Sequence, residues 1–169
     1  MNYFELFELP VQFNPDKDLL KQKFFELSRK YHPDYFANAS DEEQQKSLEV
    51  SALLNKAYKT LTNQDRTIAY ILSEKGLLET NEKYNLDPAF LMEMMELNES
   101  FAEAKFDEDP NTKVKLYHYL SELEKEIYEP IEKILEHYQD GVTTQEELLQ
   151  VKDYYFKKKY LERLRQQLK

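Results

Sequence analysis

The tripeptide His32-Pro33-Asp34 puts an imidazole, a backbone constraint and a carboxylate side by side. Pro33 disfavours a helical conformation at His32, so the helical run Phe24-Phe25-Glu26-Leu27-Ser28-Arg29-Lys30-Tyr31 must stop there. The polar pair is then expected in an exposed loop. The helix leading into it carries Lys21, Lys23, Arg29 and Lys30, a cationic face beside the loop. An imidazole beside a carboxylate can also serve as a general base. Here no apolar pocket is evident around His32 and Asp34, and the many other carboxylates are spaced as surface charge. The chain has no cysteine, which excludes a thiolate metal site, a disulfide framework and a cysteine nucleophile and fits a reducing compartment. His118 and His137 lack the i, i+4 partner a metal site wants. There is no glycine-rich phosphate loop and no nucleophile constellation. Binding is therefore expected rather than catalysis, with no metal and no cofactor.

A second group of residues lies on the segment that opens at Pro88. At about 100° per residue, Phe90, Met94, Leu97, Phe101 and Ala104 share one narrow arc, enough to face a core. Leu91, Met95, Ala102 and Phe106 form a neighbouring arc, and Met92, Glu96, Glu99 and Glu103 continue around it. The helix thus has more apolar surface than one core face requires, bordered by acid. Its methionines suit an adaptable binding surface. On the last helix Val151, Tyr154, Tyr155, Leu161, Leu164 and Leu168 cover one broad side, with Tyr155, Leu161 and Leu164 expected in the core. Phe156 lies off that side and needs a contact. Lys157-Lys158-Lys159 is expected to be a solvated face.

These residues must be positioned by helices. Only two glycines occur, β-branched residues are scarce, and Glu, Lys, Leu and Gln dominate. Asn14-Pro15, Asp87-Pro88 and Asp109-Pro110 read as caps followed by a first-turn proline; Ser40 with Glu43 and Thr144 with Glu147 read as capping boxes. In the first half, Leu20, Phe24, Leu27 and Tyr31 repeat at helical spacing, as do Val50, Leu54, Ala57 and Leu61. Two amphipathic helices therefore face each other across the segment from His32 to Ala39, flanked by short helices near 3–9 and 65–73. In the second half three long helices are expected, about 88–106, 110–138 and 144–168, with a kink or break at Pro130. The reading is all-α, with domains at 1–75 and 87–169 and a joint at 76–86. The net charge of −10 is uneven, −2 over residues 1–75 and −8 over 76–169, which fits two domains with different partners and argues against nucleic acid. No apolar run approaches ~18 residues, and the first residues show no signal-peptide pattern, so a cytoplasmic protein off the membrane is expected.

The His-Pro-Asp loop between two such helices resembles that of a J-domain, where it joins the two main antiparallel helices. Tyr3-Phe4-Glu5-Leu6-Phe7-Glu8-Leu9-Pro10 resembles the family's opening DYFxLFGLP; Asn55-Lys56-Ala57-Tyr58-Lys59-Thr60-Leu61 and Asp65-Arg66-Thr67-Ile68-Ala69-Tyr70-Ile71-Leu72 resemble its third helix and closing segment. Phe90-Leu91-Met92-Glu93-Met94-Met95-Glu96-Leu97 is similar to the C-terminal domain of HscB-type co-chaperones. The likeness spans essentially the whole chain. It implies an N-terminal J-domain, an antiparallel helical hairpin with short flanking helices, followed by a C-terminal three-helix bundle. It also implies a non-enzymatic co-chaperone of iron–sulfur cluster assembly with two partners, a DnaK-class chaperone ATPase (HscA-like) and a cluster scaffold protein (IscU-like). His32, Pro33 and Asp34 would stimulate ATP hydrolysis in the chaperone, with Lys21, Lys23, Arg29 and Lys30 docking on it. The scaffold would bind Leu91, Met92, Met95, Glu96, Glu99 and Glu103, with Phe156 from the last helix. Tyr35 departs from the family pattern, which often has a basic residue there. Without cysteine, the Cys-x-x-Cys pair that some family members carry near the N-terminus is absent, which implies the bacterial form. A general J-domain adaptor with another client, or a purely structural helical adaptor, are the alternatives.

Overall fold

The computed structural model describes residues 2–168, and among them all regular structure is helical. The helices are α1 (Tyr3–Leu6), α2 (Lys17–Lys30), α3 (Asp41–Leu61), α4 (Gln64–Glu74), α5 (Pro88–Ala104), α6 (Pro110–Glu136) and α7 (Gln145–Gln167), with a 3₁₀ turn at Pro33–Phe36. No helix among the described residues is long and apolar enough to cross a membrane. The chain forms two compact units. One runs through Ile71 and takes in Tyr138–Val142; the other comprises Leu72–His137 and the chain from Thr143 onward.

The start of α2 differs from the sequence expectation. Asn14-Pro15 does not cap it. Asp16 does, its carboxylate accepting from the amides of Asp18 and Leu19, while Pro15 is buried ahead of the helix. An aspartate satisfies two of the orphan first-turn amides and adds a charge favourable to the helix dipole, so it prevails over the neighbouring Asn-Pro pair. Ser40 caps α3 through its hydroxyl, which accepts from the Glu43 amide at 3.2 Å, a single-bond cap in place of the expected reciprocal box. At α7 both halves of the Thr144–Glu147 box are made. Asp87 and Asp109 cap α5 and α6 as expected.

In the first unit α2 and α3 pack through Leu20, Leu54, Ala57 and Leu61, all buried, and through Phe24 stacked on Tyr58 at 4.2 Å. The α1 end is held to α4 by Tyr3, whose ring stacks on Tyr70 and whose amide donates to the Tyr70 hydroxyl at 2.8 Å. Phe13 is buried and meets Tyr138 edge-on at 4.9 Å. Glu8 sits at φ +56°, a left-handed conformation, at the position where the opening pattern of the family has glycine. A β-carbon there costs about 1 kcal/mol, and the Glu8 carboxylate is anchored to Lys23 at 3.3 Å.

The second unit is a three-helix bundle. Phe90, Met94, Leu97 and Phe101 of α5, Leu120 and Leu123 of α6, and Leu161, Leu164 and Leu168 at the end of the chain form one buried cluster. Polar ties lie across it: the Tyr119 hydroxyl donates to Glu93 at 2.9 Å, and Arg165 donates to Glu124 at 2.9 and 3.1 Å. Of the kink or break expected at Pro130, the break does not occur: helix α6 continues through it. The proline frees the Glu126 carbonyl, but both residues are exposed, so water can take the lost bond. On α7 the core aromatic is Tyr154, buried against Tyr128, whereas Tyr155 is half-buried.

Candidate functional site

The loop after α2 is built by local bonds. His32 is extended (φ −64°, ψ 131°), as a residue before proline must be, and ends the helix. Its Nδ1 accepts from the Asp34 amide at 3.2 Å, so the imidazole caps the 3₁₀ turn. In a neutral ring this puts the proton on Nε2. The Asp34 carboxylate oxygen stands 3.6 Å from the same Nδ1, beyond hydrogen-bond distance, and almost wholly in solvent. The turn is fastened to α3 by the Gln44 side-chain amide, which donates to the carbonyls of Ala37 and Ala39, and the end of α2 by the Ser51 hydroxyl donating to Tyr31. The turn that carries His32 and Asp34, both exposed, is thereby tied to α3.

Beside it is an open recess that sequence reading did not anticipate, lined by Phe25, Ser28, Arg29, His32, Asp34 and Tyr35. The Tyr35 ring meets His32 edge-on and is 74 % exposed. Of the four cations, Arg29 lines this recess, Lys21 and Lys30 are exposed and rest their ammonium groups near the rings of Phe25 and Tyr31, and Lys23 is partly covered by its pairing with Glu8. Lys23 is thus already engaged within the unit.

The second set lies on α5. The arc Phe90, Met94, Leu97, Phe101 and Ala104 is buried. Met92 and Met95 are 65 % and 63 % exposed, Leu91 is half-buried, and Glu96, Glu99 and Glu103 are exposed. The helix therefore presents a solvent-facing apolar strip edged by three carboxylates. On α7, Phe156 is half-buried in its own cluster: Tyr84 stacks on it at 4.5 Å and 7°, Tyr155 meets it edge-on at 5.3 Å, and the Lys159 ammonium stands 5.8 Å from its centre. Lys157, Lys158 and Lys159 are not simply solvated. Lys157 pairs with Asp153 at 2.9 Å, and all three ammonium groups lie within 4.5–5.9 Å of aromatic rings. His118 and His137 are exposed, and no group of three or more His, Asp or Glu among the described residues is arranged to hold a metal.

A family model for the HSCB C-terminal oligomerisation domain matches residues 86–169. The co-chaperone protein HscB homolog of Vibrio cholerae (strain M66-2) is 40 % identical over 137 residues, 75 % of this chain and 80 % of its own length. The chain belongs to the HscB co-chaperone family. The HscB homolog of Vibrio parahaemolyticus is 37 % identical over 143 residues, 84 % of this chain and 82 % of that one. Among solved structures, chaperone HscB from Vibrio cholerae superposes with a TM-score of 0.77 at 33 % identity, covering 99 % of this chain and 95 % of that one. Human co-chaperone HscB superposes with a TM-score of 0.80 at 28 % identity, covering 99 % and 80 %. The HscB fold, a J-domain followed by a helical C-terminal domain, is thus the fold of this chain.

Tyr84 lies in the segment expected to be a joint, yet its ring stacks on Phe156. Its hydroxyl donates to Asp153 at 2.9 Å, and next to it Glu82 pairs with Lys152 at 2.7 Å, both side chains mostly buried. Burial first, and then the bond to Asp153, push the Tyr84 phenol up to about 12. The Lys152 hydrogen bond holds the Glu82 carboxyl below the usual carboxylate range against the opposing effect of burial. A raised phenol stabilises the fold fully below about pH 10, and that contribution is lost as pH rises towards 12. The depressed Glu82 contributes above the ordinary carboxylate range and is lost as pH falls through its lowered value. Tyr84→Phe keeps the stack and removes the hydrogen bond, and Lys157 still pairs with Asp153. A loss of about 1 kcal/mol is expected at pH 8. Denaturant titrations at pH 8 and pH 11.5 should show the gap between the two proteins narrowing at the higher pH; a constant gap would mean the phenol is not what the tether titrates.

Proposed function

We propose that this chain is a co-chaperone of iron–sulfur cluster assembly that binds an IscU-like scaffold, delivers it to an HscA-like, DnaK-class chaperone and stimulates that chaperone's ATPase. The observation that carries the reading is a pair of surfaces in separate units: a hydrogen-bonded His-Pro-Asp turn with His32 and Asp34 exposed beside cations in one, and an exposed methionine strip edged with carboxylate in the other. Membership in the HscB family supports it. The protein is taken to act by binding in the cytoplasm, with no reaction of its own. Residues 1–75 serve as the J-domain, 76–86 as the joint and 87–169 as the scaffold-binding domain.

The division of labour follows from chemistry. His32, Pro33 and Asp34 contact the ATPase, and their preset geometry spares the complex the entropy of ordering a loop. Lys21, Arg29 and Lys30 steer the approach; Lys23, paired with Glu8, contributes less than they do. Leu91, Met92 and Met95 seat an apolar patch of the scaffold, Glu96, Glu99 and Glu103 meet its basic rim, and Phe156 closes the surface. The scaffold and the chaperone are assigned to different units.

The test is a steady-state ATPase assay of a purified DnaK-class chaperone with this protein, with and without scaffold. Stimulation by the co-chaperone, increased further by scaffold, is expected. Charge reversal at Lys21, Arg29 and Lys30 should raise the half-saturating co-chaperone concentration, and raising ionic strength should do the same to the wild type, because exposed charges are screened beyond about 8–10 Å at physiological salt. Half-saturation indifferent to salt would remove the steering role; no stimulation at any concentration would remove the chaperone reading.

A further inference from the structure

Met95 is the last apolar position of the scaffold-binding set on α5, but the same outer side of the helix leads on to an exposed aromatic. Advancing from Met95 by four, three and four residues reaches Glu99, Ala102 and Phe106, all exposed and on the same side, opposite the buried arc of Phe90, Met94, Leu97 and Phe101. Lys105, the C-cap of α5, keeps right-handed helical angles, and the Phe106 amide donates to the Glu103 carbonyl at 3.0 Å, so the helical turn carries on to Phe106 at the end of the ridge. From Met95 to Phe106 this ridge is about 16 Å long. Phe106 is 89 % exposed, more than any other large apolar side chain among the described residues.

It is not on a loose loop. The Asp107 amide donates to Ala104, the Asp107 carboxylate accepts from the Asp109 amide at 2.9 Å and the Thr112 hydroxyl at 2.7 Å, and Asp109 caps α6. A phenylalanine held in water on a braced turn, in line with two exposed methionines, has the character of an interface anchor. The charge around it selects the occupant. Glu99 and Glu103 precede it and Asp107 and Glu108 follow it, all exposed, so four carboxylates outweigh the one exposed cation of this stretch, Lys105. A second copy seated across a two-fold axis would set these carboxylates against their own kind. A partner whose apolar patch is ringed by lysine and arginine is attracted instead.

We infer that Phe106 is a distal anchor of the scaffold-binding surface, receiving an apolar residue of the scaffold whose basic rim pairs with Glu103, Asp107 and Glu108. This rests on the scaffold reading of α5 proposed above; it carries the footprint three residues past Glu103 and its apolar part about three turns past Met95. The extension differs in kind from the proximal strip: an aromatic on a turn replaces flexible thioethers on a helix.

The test is calorimetric titration of the full chain with a purified IscU-like scaffold, with sedimentation of each variant alone. Phe106→Ala is expected to weaken binding about tenfold, chiefly through faster dissociation, with helicity and sedimentation as in wild type. Phe106→Leu should recover most of the loss, because it restores apolar volume at the same place. Wild-type affinity in Phe106→Ala while Met92→Ala/Met95→Ala loses binding would overturn the distal anchor and leave the scaffold reading standing. Wild-type affinity in both would overturn both. A wild-type oligomer that Phe106→Ala dissolves, with scaffold affinity unchanged, would assign the ridge to a second copy and overturn the inference.

Discussion

His32→Gln is expected to bring the stimulated ATPase rate of the partner chaperone down to its basal rate and to leave the fold of this protein untouched. The structural half of that expectation is read from the loop. His32 is about half exposed, lies outside both buried stripes of the hairpin, and bonds inward only through Nδ1 to the Asp34 amide. A glutamine side-chain oxygen can accept from the same amide, so the 3₁₀ turn keeps a cap and the change in stability should stay within about 0.5 kcal/mol. The functional half rests on what glutamine cannot supply, a planar ring edge facing Tyr35. Asp34→Asn separates charge from shape at the next position: its carboxylate is almost wholly exposed and within bonding distance of nothing on the imidazole, so its loss should also abolish stimulation without lowering stability. Far-ultraviolet dichroism establishes folding and a coupled-enzyme ATPase assay gives the rate. Wild-type stimulation by a folded His32→Gln protein would sink the assignment of the loop, and failure confined to weaker half-saturation would make His32 an affinity residue instead.

Where the chain follows one strong period, the residues alone are enough. The arc on α5 separates Phe90, Met94, Leu97 and Phe101, all buried, from Met92 and Met95, both solvent-facing, and the structure keeps every one on the expected side. The Thr144–Glu147 box is likewise a short-range device and forms as read. The departures occur where two local solutions compete or a distant contact decides. Asn14 and Asp16 both offer a cap, and the charge and two-amide bond of Asp16 win. Tyr154 and Tyr155 are adjacent aromatics 100° apart on a helix whose flanks are rich in lysine and tyrosine, so the apolar pattern alone leaves the register of the core open; packing of Tyr154 on Tyr128 closes it. Pro130 marks a lost hydrogen bond, but sequence does not say whether the freed carbonyl faces core or water. Tyr84 is the clearest case. Nothing within its own segment gives it a role, because its partners Asp153 and Phe156 stand some seventy residues away.

Replacing Leu91, Met92, Met95 and Phe156 together with alanine is expected to weaken scaffold binding by about a hundredfold, since anchors of this size typically cost about 1–3 kcal/mol each and do not add fully. The structure divides the four by what each does in the free protein. Met92 and Met95 are nearly two-thirds exposed, so truncating them forfeits little packing and should leave the melting temperature close to wild type. Leu91 and Phe156 are half-buried, and Phe156→Ala also dissolves the stack with Tyr84, an arrangement worth about 0.5–1.5 kcal/mol beyond the area it covers. Any loss of stability in the quadruple variant should therefore come from these two, while the bundle core of Phe90, Met94, Leu97, Phe101, Leu161 and Leu164 is untouched. Met92→Ala/Met95→Ala accordingly carries the decision: at least a tenfold weaker complex with an unchanged melting temperature places the partner on the outer face of α5. Glu96, Glu99 and Glu103 changed to glutamine should act through the association rate and become indistinguishable from wild type at high salt, because exposed rim charges guide encounter more than they hold the complex. If the methionine pair binds scaffold as wild type does, the strip is not the docking surface. If that pair instead melts far below wild type, its exposed positions are covered in the folded protein and α5 has no free apolar face to offer.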